Sequence, residues 1–262
     1  MTAVNGAVVA DLASFTGVNA DVVRAAVGNV GSGDSAFLVV SGKMGSGKDT
    51  IAPLALTVAG FPDAVHHYYA DSLKDEVDQM LTHARYLDCE KDVVAYLQAA
   101  WNVPAAQASV LGGHLWSAAA DVHTHARTRS TLVRNILQFY GTDVRRADDP
   151  QYWVKLGLGK MLTDLASGHS VYVTDARFPN EVSWPRTASA HVVRLRVTGQ
   201  TQIERLTDRD GVAPDRSMLE HVSETALDDY TFFDAVIDCD DTTIDEASAA
   251  VAASLPLTTV TL

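Results

Sequence analysis

The chain is short of positive charge: 20 Lys and Arg stand against 33 Asp and Glu in 262 residues, a formal net charge of -13. That balance disfavours a protein that grips long nucleic acid electrostatically, although a small anion can still be held where backbone amides make a local positive field. Cysteine is nearly absent. Cys89 and Cys239 are the only two, far apart and without metal-ligand spacing, so a disulfide scaffold is excluded and both read as reduced thiols in a cytosolic protein. No apolar run approaches about 18 residues and no signal peptide is recognisable, so the expectation is a soluble, intracellular, cytoplasmic protein with no membrane partner. The hydrophobic share, 47%, suits one large α/β domain, with or without an appendage.

What the chain does have is a glycine-rich turn behind a hydrophobic run. The segment Val39-Val40-Ser41-Gly42-Lys43-Met44-Gly45-Ser46-Gly47-Lys48-Asp49-Thr50 fits the phosphate-binding P-loop spacing G-x-x-x-x-G-K. Gly42, Gly47 and Lys48 are in register, and Asp49 stands where Ser or Thr is usual. Residues 36–40 are apolar and β-prone, as a buried parallel strand requires, and 50–57 can continue as a helix. In such a strand–turn–helix, backbone N–H groups and the positive end of the helix converge on one anion. Gly42, Gly45 and Gly47 permit close approach of backbone, Ser46 lies within the same cradle, and Lys48 adds a compact cation for β- and γ-phosphates.

Residues 1–35 divide at Thr16-Gly17-Val18-Asn19, and Asn19 is expected to cap a helix over 21–27 that Gly28 ends. With one Arg and no Lys, this segment is expected to be a packing or homodimerisation appendage, not a DNA reader. A second strand over 64–70 is expected to end at Asp71, with His66 and His67 facing opposite ways. The stretch 72–140 is helical in composition, with Gly112-Gly113 as its clearest break. His114, His123 and His125 lack the spacing of a zinc site. A helix over 151–166 is followed by strands at 171–174, 191–197 and 233–237 and by helices at 203–209 and 243–253.

Strands separated by helices predict an α/β fold over 36–262, a five-stranded parallel sheet with helices on both faces in three layers. A helical acceptor-binding region is expected at 72–145 and a lid at 205–216. Ligands in such sheets sit beyond the carboxyl ends of the strands, which puts the P-loop, Asp71 and Asp175 along one edge. No internal repeat or low-complexity linker interrupts the pattern.

Phosphoryl transfer needs a cradle for the donor, a metal, cations on the migrating group and an acceptor held in line. Asp49 and Thr50 are candidates to organise Mg²⁺, which prefers oxygen ligands, and Asp175 at the end of an apolar strand is the natural second acidic group. Arg177 lies two residues further on. Arg205 and Arg209, four apart before a Gly/Pro loop, share a helix face and suit a lid that brings guanidinium groups onto the phosphate. Arg134, Arg145 and Arg146 bracket 138–142 and suit the acceptor's own phosphate, since Arg pairs bidentately with phosphate oxygens.

Four segments in order resemble the bacteriophage deoxynucleoside monophosphate kinases. They are the loop ending Gly-Lys-Asp-Thr; Ala70-Asp71-Ser72-Leu73-Lys74; Ile136-Leu137-Gln138-Phe139-Tyr140-Gly141-Thr142-Asp143-Val144-Arg145, followed by Tyr152-Trp153; and Val173-Thr174-Asp175-Ala176-Arg177-Phe178-Pro179-Asn180-Glu181. A weaker fifth is His221-Val222-Ser223-Glu224 with 238–242. The resemblance spans about residues 36–250. It implies an adenylate-kinase-like fold, ATP and Mg²⁺ as donor, and transfer to a deoxynucleoside 5′-monophosphate. It further implies an acceptor site drawn from Asp71, Lys74, Arg134, Gln138, Thr142, Arg145 and Trp153, with Arg177 near the phosphates. Met44 and Gly45 stand where this family often has basic residues.

Other readings use the same loop. A kinase acting on a hydroxymethylated pyrimidine within DNA would need a base for its hydroxyl acceptor, for which Asp71 is the candidate. A non-catalytic ATP-binding switch would bind nucleotide without turnover. Phosphomevalonate-type kinases share Gly-Lys-Asp but leave 138–145 unexplained.

Overall fold

The computed structural model describes residues 4–256. The chain begins with two capped helices, α1 (Gly6–Thr16) and α2 (Ala20–Ser32), whose first N–H groups are met by Asn5 and Asn19. The second runs straight through Gly28, the expected stop. It ends at Gly33, whose left-handed backbone returns its N–H to the Asn29 and Val30 carbonyls. Strand β1 (Phe37–Gly42), helix α3 (Lys48–Val58) and strand β2 (Val65–His67) follow. Strand β2 is shorter than expected because Tyr69 already opens α4 (Tyr69–Ala84), so Asp71 lies in a helix's first turn and not at a strand end.

Helices α5 (Glu90–Trp101), α6 (Ala105–Ala119) and α7 (Thr131–Gln138) lead into a π-helix, Phe139–Arg146. Gly112 and Gly113 do not break α6. They serve packing, since a Cβ on Gly112 would come within 2.6 Å of Val94 Cγ2 on α5. Then come α8 (Tyr152–Ala166), β3 (Val171–Ala176), α9 (Pro179–Thr187), β4 (His191–Arg196) and α10 (Gly199–Asp210). The chain closes with α11 (Arg216–Leu219), α12 (Val222–Thr225), β5 (Ala235–Asp238) and α13 (Ile244–Ser254). Helix α9 was not expected from composition. Pro179 starts it, and Glu181 reaches back to accept the backbone N–H groups of Arg177 (2.7 Å) and Phe178 (3.0 Å).

Two units emerge, one of residues up to Tyr68 and from Val154 onward, the other Tyr69–Trp153. The first holds an all-parallel sheet in the order β2-β3-β1-β4-β5. Leu38 and Val40 of β1 pack with Ile51, Leu56, Val251 and Ala252 of α3 and α13. On the other face His67 Nε2 meets Asp164 Oδ2 of α8 at 2.8 Å, while His66 stacks on Tyr172, so the two histidines do face opposite ways. The sheet therefore has helices on both faces, three layers in all. The two N-terminal helices, 6–32, pack on this unit. Val9, Leu12, Val23 and Ala26 are buried, Asn29 Nδ2 donates to the Leu165 carbonyl at 2.8 Å, and Phe15 stacks on Trp184.

Central β1 is flanked by β3 and β4, so the chain's two directions of winding diverge at its carboxyl end, where the glycine loop begins. The β1–β3 register runs Val39↔Val173 and then Ser41↔Ala176. The additional residue lies at 174–175 of β3, a bulge that re-aims Thr174 and Asp175. The second unit is helical around Val77, Met80, Leu97, Leu111, Leu115 and Ile136.

Candidate functional site

The loop after β1 is shaped by three glycines. Gly45 and Gly47 hold φ of 77° and 85°, the left-handed region, and a Cβ on Gly42 would run into the Ser46 hydroxyl and the Leu195 carbonyl. Ser46 N–H closes a turn onto the Lys43 carbonyl at 3.2 Å, and the Thr50 and Ile51 N–H groups both reach the Gly47 carbonyl. Among the described residues the N–H groups of Gly45, Gly47, Lys48 and Asp49 donate to no protein acceptor. They include the first donors of α3, which a helix cannot satisfy internally. The Ser46 Oγ is buried and likewise without a partner.

Lys48 is only 7% exposed, yet among the described residues no carboxylate lies within ion-pair distance of it. Burial, and next the nearby Arg177 charge, push its ammonium below the ordinary lysine value, while Asp49, Glu224 and Asp175 pull the other way. A desolvated cation beside undonated amides is the arrangement a polyphosphate satisfies. Asp49 and Thr50, the next residues of α3, are exposed. One Asp49 oxygen accepts the Thr174 hydroxyl at 2.5 Å. No group of three His, Cys, Asp or Glu is gathered as a metal cage among the described residues. Asp49, Thr50 and Asp175 instead suit a hard cation that keeps waters and phosphate oxygens as most of its ligands.

The arginines divide. Arg177 forms an ion pair with Glu224, a carboxylate buried beside the loop whose second oxygen accepts the Met44 N–H at 2.8 Å. Four residues on, Asp228 holds Lys43 (2.8 Å) and Arg194 (3.1 Å), and Arg194 also donates to the Ser41 hydroxyl. Helix α12 and the turn after it thus grip the loop through two carboxylates. Arg205 does not stand free for a lid. Its guanidinium donates to the carbonyls of Gly45 (3.3 Å) and Cys239 (2.6 Å), so it braces the loop from behind. Arg209 is 59% exposed and pairs with its neighbour Asp210. Residues 205–210 of the expected lid are the end of α10, anchored by buried Gln202 and Leu206.

The acceptor residues implied by the resemblance fall in the second unit. Arg145 is not a free phosphate clamp there. Its Nε donates to Tyr140 Oη at 2.7 Å, and its guanidinium lies over the Tyr152, Tyr140 and Trp101 rings at 4.8, 5.2 and 5.9 Å. Glu76 completes the cage, accepting Tyr140 (2.5 Å) and Tyr152 (2.6 Å) and lying 3.6 Å from Arg145. Burial first, and Glu76 next, raise both phenols, Tyr152 to about 12. Trp153, 3% exposed, donates its indole N–H to the Gly141 carbonyl and is a core residue. Arg134, Gln138 and Thr142 are exposed. Asp71 lies 3.6 Å from Lys74 and 3.5 Å from Arg127, which also holds Asp75 and Asp78.

Glu224, Arg194 and Thr174 are the site residues that residue patterns did not single out. Thr174 and Glu224 stand inside segments that carry the family resemblance, which was the signal available, and Arg194 had none. Cys89 and Cys239 are free thiols. No protein-family model matches the chain, and no curated protein matches it.

Proposed function

We propose that this chain is an ATP- and Mg²⁺-dependent kinase that transfers a phosphoryl group to a deoxynucleoside 5′-monophosphate. The observation that carries the reading is Lys48: among the described residues, a buried ammonium with no carboxylate at ion-pair distance, beside the N–H groups of Gly45, Gly47, Lys48 and Asp49, which donate to no protein acceptor. A cation left in that state costs free energy unless an anion arrives, and a loop whose glycines keep backbone donors open suits phosphates. Bound ATP supplies the transferable group. Lys48 and the amides of Gly45, Gly47 and Lys48 then hold the β- and γ-phosphates, Ser46 offers a hydroxyl, and Asp49 with Thr50 and Asp175 orients the cation. Arg177 stabilises charge developing on the migrating group. No residue has to take a proton, because a monophosphate acceptor is already an oxyanion at neutral pH.

On this reading, which follows the family resemblance, Asp71, Lys74, Arg134, Gln138 and Thr142 serve the acceptor, while Arg145 and Trp153 are held within the same unit by Tyr140 and by the Gly141 carbonyl. A coupled assay of ADP release across the deoxynucleoside monophosphates tests the reading, with turnover expected for at least one. Absence of turnover with all of them sinks it. Transfer of labelled γ-phosphate to hydroxymethyluracil-containing DNA, and not to mononucleotides, would make the DNA base the acceptor. ATP binding with neither turnover would leave a nucleotide-binding switch. Within the loop, Asp49→Ser is expected to keep part of the activity and Lys48→Ala to lose nearly all of it.

A further inference from the structure

Asp49 is exposed, but its orientation is not left to solvent. Its Oδ1 accepts a hydrogen bond from Thr174 Oγ1 at 2.5 Å, and the same Thr174 oxygen lies 2.9 Å from His66 Nε2. Thr174 is fully buried, at the β3 bulge. The direction of this chain follows from proton count. An ionised carboxylate only accepts, so the single hydroxyl proton of Thr174 goes to Asp49. The hydroxyl oxygen is then an acceptor towards His66, and His66 Nε2 carries the hydrogen. The imidazole is itself held, stacked on Tyr172 with ring centroids 4.2 Å apart and 4.0 Å from the Tyr68 ring.

We infer that His66 and Thr174 are positioning residues that fix the Asp49 carboxylate, committing one of its oxygens to β3 and presenting the other to the divalent cation that accompanies the nucleotide. The inference rests on the Mg²⁺-nucleotide reading of the loop. It gives a reason for an aspartate where a hydroxyl is usual: the hydroxyl is supplied from β3, one step behind the carboxylate. Partners of this kind orient a ligand without touching the metal, and their loss typically weakens metal affinity about 10- to 100-fold.

The test is ADP binding to the full-length protein by calorimetry, with and without Mg²⁺. Thr174→Val keeps the side-chain shape and deletes the hydroxyl. The Mg²⁺ concentration that half-maximally tightens ADP should rise about 10-fold, with metal-free ADP affinity unchanged, and Thr174→Ser should restore it. His66→Phe keeps a ring on Tyr172 and deletes the donor, and should give a smaller shift in the same direction that His66→Gln reverses. A wild-type Mg²⁺ response in both Thr174→Val and His66→Phe overturns the relay. So does loss of metal-free ADP affinity in both, which would make the pair merely structural. Wild-type protein that binds ADP with no Mg²⁺ response overturns the relay and leaves the loop reading intact. Wild-type protein that binds no ADP at all overturns the loop reading itself.

Discussion

Lys48 and Arg145 are both largely withdrawn from water, in different units, and their surroundings are opposite. Lys48 has amides beside it that donate to nothing and no carboxylate at ion-pair distance among the described residues. Arg145, its side chain 16% exposed, has a carboxylate 13% exposed, two phenols and three ring faces around it. A buried cation that the protein fully partners contributes to one fold, whereas one that the protein leaves without a partner is destabilising until a ligand supplies the anion. On the proposed reading, that difference separates a residue kept for structure from one kept for binding, which charge and spacing alone do not do.

The largest expected effect follows from that contrast. Lys48→Met should lower kcat/KM roughly 100- to 1000-fold, the scale of removing one group that stabilises transition-state charge. It should also make the ligand-free protein more stable, because an uncompensated cation is gone. The pH dependence carries the same sign. Burial, then Arg177, lowers the Lys48 pKa in the folded protein, so the unfolded chain binds that proton more tightly. Stability of the ligand-free wild type therefore rises as pH climbs from the lowered value towards 10.5, and Lys48→Met should lose that rise. Thermal melts across pH check both, and a Tm that falls in Lys48→Met would break the comparison.

Arg145 should behave the other way. Arg145→Met strands Glu76 and should cost about 2–3 kcal/mol of stability, read as a lower denaturant midpoint, and adding Glu76→Leu should recover part of it. Tyr152 gives the matching pH signature. Its phenol is raised to about 12, chiefly by burial and then by Glu76, so the folded protein keeps that proton after the unfolded chain has lost it. The Tyr152 contribution is constant below pH 10 and is lost between about 10 and 12, a fall that Tyr152→Phe should remove. If Arg145→Met leaves stability unchanged but raises the acceptor KM, the cage is a binding device and the contrast with Lys48 fails.

Elements with a periodic core face or a clear cap were legible in the sequence. The alternation of sheet strands and helices predicted the parallel sheet, and Asn19, Thr243 and the Gly42–Gly47 spacing marked helix starts and the loop. Long-range pairing was not legible. Arg205 and Arg209 look equivalent in sequence, but only Arg205 reaches the Gly45 carbonyl, because α10 packs its Gln202 and Leu206 inward. Gly112 read as a break because a missing side chain signals flexibility or close packing alike, and only the partner Val94 decides between them. The π-helix has no periodic signature of its own.

A smaller effect tests whether the loop is electrostatically held in check. Glu224 shares its carboxylate between the Met44 N–H and Arg177, and its charge bears on Lys48. Glu224→Gln keeps the acceptor for Met44 and removes the charge, so affinity for inorganic tripolyphosphate should tighten several-fold, on the order of 1 kcal/mol. Calorimetric titration measures it directly. Weakened binding would mean that Glu224 mainly shapes the loop, and that the loop's balance of charge is not what sets anion affinity.

The remaining effects concern two glycines, one in each unit, and they differ in kind. An alanine at Gly45 would keep φ near 77°, costing about 1–2 kcal/mol of backbone strain, while its Cβ would meet Gln202, Leu206 and Arg205 at ordinary distances of 3.4–3.7 Å. The penalty is therefore local, and no neighbouring truncation should relieve it. Gly45→Asn, which tolerates the left-handed region, should lose less stability than Gly45→Ala. At Gly112 the backbone is helical and alanine is the better helix former by up to about 1 kcal/mol, but the Cβ overlaps Val94 Cγ2. That cost is steric and belongs to the partner helix, so Val94→Ala should restore much of what Gly112→Ala loses. Rescue at both positions by trimming neighbours would show that the loop glycine, like the helical one, is there for space alone and not for the backbone angle that keeps its amides open.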